Sequence, residues 1–199
     1  VVGVVVTHFH VDHCGDLSAL LFARNVVDPP PVDALRLAGP VGHAAHVAGL
    51  RALYEPALED RRGLTSVEEL RDGEGVTIAP FHVSVREVMH VPGALGVRIA
   101  CGGRTLAFSG DSGECDALDA LCRGADLALL ECSYPADRPS RTHLTTHGAA
   151  RTALRAGVKR LALVHFYPSC DAVDREREVR AGGYVGDLHL GEDGDVLDV

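Results

Sequence analysis

Thr7-His8-Phe9-His10-Val11-Asp12-His13 places four imidazole and carboxylate side chains within six residues, directly behind the apolar run Val1-Val2-Gly3-Val4-Val5-Val6. Random placement at this composition delivers His-x-His-x-Asp-His roughly 0.003 times per chain, so the pattern is not a by-product of 11 histidines in 199 residues. A straight strand turns His8, His10 and Asp12 to one face and His13 to the other. The reading is therefore a strand running into a bent loop, with a turn after Asp12 splitting the four side chains between two adjacent ions. Imidazole and carboxylate donors suit Zn²⁺, and Mn²⁺ or Fe where oxygen donors contribute.

The rest of the chain bounds what such a loop serves. With 46% hydrophobic residues over 199 positions, one well-filled core and a single domain spanning 1–199 are expected. The net charge of −9 argues against a general electrostatic grip on nucleic acid, which rests on clustered Lys and Arg. Aromatics at 5% and no Trp argue against a base-stacking platform for single strands. No apolar run reaches the roughly 18 residues that span a bilayer. The six Cys, at 14, 101, 115, 122, 132 and 170, form no close pair; they read as small reduced hydrophobes and favour the cytoplasm. The only Met is Met89, so the opening strand implies that residues preceding Val1 are missing and that a signal peptide would lie among them.

Short apolar runs alternate with helical patterns, which predicts an α/β layered architecture. Helices are expected over 16–26 (capped by Asp16), 41–54, 114–122, 146–156 and 171–180, and strands over 33–38, 76–79, 81–89, 95–101, 104–108, 126–131 and 160–164. Gly102-Gly103 reads as a two-residue hairpin turn. Residues 55–73 read as partly helical and mostly exposed, and the chain is expected to close in a hairpin turning at 191–194. Strand ends bring distant residues together, and three further candidate ligands have that placement: His90 behind the strand 81–89, Asp111 behind Phe108, and His165 behind Val164. With the first motif they make seven ligands, enough for two metals if Asp111 bridges.

In this order, His-x-His-x-Asp-His and then a lone His, Asp and His, the sequence resembles the metallo-β-lactamase fold superfamily from Val1 to Val199. The resemblance implies a four-layer αββα sandwich, here without its initial N-terminal strands. It also implies that His8, His10 and His90 hold one divalent ion, that Asp12, His13 and His165 hold the second, and that Asp111 bridges them. Ser109-Gly110-Asp111-Ser112, His143-Leu144-Thr145 and Leu163-Val164-His165-Phe166 look like the ribonuclease Z-like branch. That branch commonly carries His-Ser-Thr, so His-Leu-Thr is a near match. His143 falls where the branch has a histidine assisting phosphodiester cleavage, and Glu131 matches a position often acidic, where it orients His143 or stands as a solvated strand-end carboxylate.

The implied reaction is metal-assisted hydrolysis: two ions lower the pKa of a bridging water and clamp the oxygens of an in-line displacement at phosphorus. Asp12 is placed both to ligate and to orient the hydroxide, and His143 to stabilise or protonate the leaving oxygen. Ribonuclease Z itself clamps tRNA with a long arm between the lone His and the bridging Asp. Only 20 residues separate His90 from Asp111, which leaves room for no arm. A small phosphodiester, a cyclic nucleotide or short oligonucleotide, is therefore the expected substrate, and a homodimer is compatible with the family. The alternatives are an acyl hydrolase acting on a lactone, thioester or β-lactam, a tRNA 3′-processing endonuclease, and a non-catalytic relative. A flavodiiron role is disfavoured because that branch places Glu where this chain has His10.

Other features have simpler readings. His43 and His46 read as a solvated helix face, and 174–180 likewise. His82, His147 and His189 lack sequence partners, although His147 lies four residues beyond His143. Cys14 reads as a buried thiol and Pro92-Gly93 as a turn. Ser109 and Ser112, lacking a Gly-x-Ser-x-Gly elbow, read as support for Asp111.

Overall fold

The computed structural model describes residues 1–199, which divide into two compact units, Val1–Arg71 and Asp72–Val199. The first unit runs β1 (Gly3–Val5), a one-turn helix α1 (Val11–Cys14), α2 (Leu17–Val26), β2 (Leu35–Pro40), α3 (His43–Leu53) and β3 (Thr65–Leu70). Its strands form a parallel sheet in the order β1-β2-β3. Parallel neighbours need a crossover, and α2 and α3 supply it. Leu17 and Leu21 lie four apart on one face of α2 and pack with Leu35, Leu37, Val47 and Leu58. Each such leucine contributes about 1.5–3 kcal/mol by leaving water. A carboxylate from β3 caps α3: Glu69 Oε1 accepts from the Gly42 and Ala44 amides at 2.9 and 3.1 Å.

The second unit runs β4 (Gly75–Ile78), β5 (Phe81–Glu87), β6 (Leu95–Cys101), β7 (Arg104–Phe108), α4 (Asp116–Cys122), β8 (Leu127–Glu131), α5 (Thr146–Ala156), β9 (Arg160–Val164), a 3₁₀ turn (Pro168–Ala172), α6 (Arg175–Ala181) and β10 (Asp187–Leu190). These strands make one mixed sheet ordered β10-β9-β8-β7-β6-β5-β4. Gly102 and Gly103 both take positive φ, 57° and 79°, in the tight β6-β7 turn. Leu118 and Leu121 of α4 and Ala149, Ala150 and Ala153 of α5 pack with Leu130, Leu161 and Leu163 of the sheet. The alanines let α5 lie close to the strands.

Strand direction positions the chemistry. β7, β8 and β9 are mutually parallel, so Asp111, Glu131 and His165 emerge at one edge of the sheet. β5 is antiparallel to β6 and β6 to β7, so β5 runs with β7 and delivers His90 to the same edge. The bridge between Met89 and Gly113 locks those two segments together.

Several expectations are corrected. The charged stretch 55–73 contains the strand β3, and Glu68 of β3 pairs with Arg36 of β2, so its charge is met across the sheet rather than solvated on a helix. No terminal hairpin forms: β10 lies parallel to β9, because α6 intervenes as a crossover. Asp16 makes no side-chain cap to α2, and the opening strand is three residues long. The helix expected over 171–180 is split between the 3₁₀ turn and α6, with Asp174 capping Arg177 N. No helix is long and apolar enough to cross a membrane.

Two contacts give direct tests. An added Cβ at Gly113 would stand 2.0 Å from the Arg141 carbonyl oxygen. Gly113→Ala should therefore cost roughly 1–3 kcal/mol in denaturant unfolding, and an unchanged midpoint would contradict this close approach. Burial raises the Glu114 carboxyl pKa, but Arg151 and Arg155 of α5 outweigh it and hold the group below its usual 4.5. A lowered folded pKa gives stability that is present above the unfolded value and lost as pH falls through the folded one. Glu114→Gln should accordingly flatten the loss of stability between about pH 5 and 3 in urea unfolding, whereas parallel acid limbs would exclude the linkage.

Candidate metal centre

In the first unit the chain leaves β1, passes Thr7 and His8, and bends into α1, where the His13 amide bonds the His10 carbonyl at 3.0 Å. The bend therefore begins at His10, two residues before the turn expected after Asp12. It keeps the ligand atoms close: His8 Nε2 lies 3.1 Å from His10 Nδ1, the His8 and His13 rings are 4.2 Å apart, and His13 Nε2 is 3.4 Å from Asp12 Oδ2. His8 is buried and its Nδ1 meets Thr7 Oγ1 at 3.2 Å, which leaves Nε2 toward the cluster. Asp12 is the open member, with 62% of its side chain exposed.

Phe9, between two of these histidines, stacks 5.1 Å from His46 and 6.2 Å from His43. This corrects the solvated reading of the pair, because His43 is 0% exposed. Its ring fills the space above Gly39, where a Cβ would stand 2.7 Å away. Burial first, and the neighbouring His46 second, lower its pKa to about 4, so it packs as a neutral ring.

In the second unit Asp111 is the centre. Its carboxylate is 3% exposed and stands 3.7 Å from His90 Nε2, 3.6 Å from His165 Nε2 and 4.0 Å from His143 Nδ1. The tautomers follow from the partners. The Thr142 carbonyl can only accept, so His90 Nδ1 donates to it at 2.9 Å. Ser133 Oγ donates to Glu131 Oε2 at 2.8 Å, and therefore accepts from His165 Nδ1 at 3.0 Å. Both rings thus turn an Nε2 lone pair to Asp111. His165 itself has φ 60°, a left-handed conformation that a non-glycine residue holds only under constraint from its surroundings.

Glu131, the last residue of β8, is 1% exposed. Its Oε1 accepts from His143 Nδ1 at 2.8 Å and the Ser112 amide at 3.0 Å, and its Oε2 accepts from the Ser133 amide at 3.0 Å as well as its hydroxyl. Of the two sequence readings of Glu131, the structure has the one in which it faces His143. That bond places a proton on His143 Nδ1. Ser109 and Ser112 spend their hydroxyls on the Gly110 and Gly113 carbonyls, in keeping with support rather than attack.

The donor set fits a divalent cation. Two ligands of one tetrahedral zinc stand about 3.4 Å apart. The separations of 3.6 and 3.7 Å are near that value and beyond a hydrogen bond. In each of these two pairs a nitrogen lone pair faces a carboxylate oxygen, an arrangement that a shared cation stabilises. Asp111, His143 and His165 also offer atoms all within 4.8 Å of one another.

Other histidines are engaged elsewhere: His82 near Thr77 at 3.3 Å, His189 with Asp195 at 2.7 Å. Three contributors escaped the sequence reading. Ser133 lies two residues beyond Glu131, and the strand period of two would have marked it as sharing that face. Tyr167 stands in the same relation to His165, its ring 5.4 Å away. Glu178, read as part of a solvated face, accepts from Ala136 N at 3.0 Å and Thr146 Oγ1 at 2.6 Å, tying down both ends of the segment that carries His143. No sequence pattern marked it.

Comparison with known proteins gives the family of the chain. A family model described as a beta-lactamase superfamily domain matches residues 1–166. The chain is 33% identical over 201 residues to the uncharacterized protein ML1173 of Mycobacterium leprae, covering 100% of this chain and 70% of that one. It is 30% identical over 222 residues to a ribonuclease Z of Mycolicibacterium paratuberculosis, covering 96% and 76%. The crystal structure of the metallo-β-lactamase fold protein YhfI from Bacillus subtilis superposes with a TM-score of 0.80 at 23% identity, over 98% of this chain and 76% of that one. The α/β expectation and the ribonuclease Z-like resemblance are both borne out, and the chain belongs to the β-lactamase superfamily as a metallohydrolase with the metallo-β-lactamase fold.

Proposed function

We propose that residues 1–199 act as one hydrolase domain, cleaving small phosphodiesters of the cyclic nucleotide or short oligonucleotide type with two divalent metal ions. The carrying observation is the pair made by buried Glu131 and half-buried His143 beside Asp111. An alkoxide leaving phosphorus needs a proton, and this pair is placed to supply one. In the ligand assignment His8, His10 and His90 hold one ion, Asp12, His13 and His165 the other, and Asp111 is shared. Zinc suits the imidazole-rich set best, with manganese or iron as the alternatives. Bound there, the ions supply Lewis acidity and a water acidic enough to attack near neutral pH.

The residues of the chain do the rest. Asp12, open to solvent, orients the attacking water. As the P–O ester bond breaks, His143 Nε2 gives its proton to the leaving oxygen, and Glu131 holds the imidazolium through Nδ1. Glu131 thus acts as a positioning residue. The six free thiols support a reducing, cytoplasmic setting. A second reading, tRNA 3′ processing, is favoured by the ribonuclease Z relative. The net charge of −9 and the 20 residues between His90 and Asp111 favour the small substrate.

Metal analysis of the dialysed protein should find two transition-metal ions per chain; fewer than one would overturn the dinuclear assignment. On a panel of a chromogenic phosphodiester, cyclic nucleotides, precursor tRNA, a lactone and a β-lactam, the phosphodiesters should turn over fastest. His143→Ala should lower that kcat by about 10²–10⁴-fold with metal content intact. Full activity in this variant would remove His143 from the reaction.

A further inference from the structure

Beside the Glu131–His143 pair lies a group of rings that catalysis as described leaves unused. Tyr134 and Tyr167 meet edge to face, with centroids 5.3 Å apart at 83°. Tyr167 lies 5.8 Å from His143 and 5.4 Å from His165, and Tyr134 lies 5.9 Å from His143 at 85°. Although it touches three rings, Tyr167 keeps 36% of its surface exposed. In a chain with only four tyrosines, two of them flank the same histidine.

Both tyrosines are held by their backbones. Tyr167 N donates to the Ser133 carbonyl at 3.3 Å, and its own carbonyl accepts from Cys170 N at 2.8 Å in the 3₁₀ turn. Tyr134 is pinned to the other side of the His143 segment, through Leu144 O at 3.3 Å and Thr146 N at 3.0 Å. The rings themselves pack against each other, and side chains placed in advance lose little entropy on binding a flat partner. Tyr134 also carries a hydroxyl, a group able to donate to or accept from a ring edge.

We propose that Tyr134 and Tyr167 form a subsite for the base of a nucleotide substrate, with the base stacked on Tyr167 and Tyr134 walling its edge. The proposal rests on the phosphodiesterase reading and names its substrate class: a phosphodiester bearing a nucleobase one ribose away from the phosphorus that His143 addresses. It is a place for one base, in line with a chain too poor in aromatics to stack a strand.

The test compares wild type, Tyr167→Ala and Tyr167→Phe, all metal-loaded, on a nucleoside 3′,5′-cyclic phosphate and on a glycerol phosphodiester without an aromatic ring. Wild type and Tyr167→Phe should show the lower KM for the nucleotide. In Tyr167→Ala that preference, read as the ratio of the two KM values, should shrink by about tenfold, the scale of one base–aromatic stack. An unchanged ratio, including one in which both KM values rise together, would overturn the subsite. Should wild type hydrolyse neither compound, the phosphodiesterase reading fails, and calorimetric binding of AMP against ribose 5-phosphate decides the subsite separately. Tighter AMP binding that is lost in Tyr167→Ala upholds it, and equal binding of the two ligands by wild type overturns it.

Discussion

A buried carboxylate is the constraint around which the second unit's site is organised. An ionised group removed from water must be repaid in hydrogen bonds, and Glu131 receives four: two from backbone amides, one from a hydroxyl and one from an imidazole. Each donor belongs to a segment that carries chemistry. Ser112 N follows Asp111, Ser133 receives His165, and His143 is oriented outright. Satisfying one charge therefore fixes the loops behind β7, β8 and β9 together. The same hydroxyl that serves Glu131 sets the tautomer of His165, so His143 and that candidate metal ligand share a support.

The loops reach Glu131 because of strand direction. Asp111, Glu131 and His165 are far apart in sequence, yet they leave parallel neighbours at one edge. His90 arrives there through two reversals of direction. In the first unit the candidate ligands are close in sequence, and the problem is the opposite one, of turning alternating side chains to a common point. The bend at His10 solves it locally, with Phe9 seated on His43 and His46 as the loop's footing.

Much of this was legible in the residues. The motif from His8 to His13, the strand-end positions of Asp111 and His165, the Gly102-Gly103 turn and the helix from Thr146 to Ala156 all stand where the spacing put them. The failures share a cause, which is that charge and polarity do not by themselves report burial. Glu68 sits in a strand because Arg36 meets it from the neighbouring strand. His43 is buried because Gly39 leaves room for its ring. Glu178 faces inward because an amide and a hydroxyl from a segment more than 30 residues away need an acceptor. None of those partners is near in sequence, so no local pattern carries the information.

Composition and strand periodicity thus determined on their own the α/β class, and the order of the motifs carried the resemblance to the superfamily and with it the candidate metal ligands, because residue type and side-chain alternation are local properties of the chain. Tertiary structure alone decided the bend at His10, the tautomers of His90, His143 and His165, the hub made by Glu131 and Ser133, and the tyrosine pair beside His143. Each of those depends on which donor faces which acceptor across strands and loops, and that is settled only when the backbone directions are fixed and the buried polar groups must all be paired.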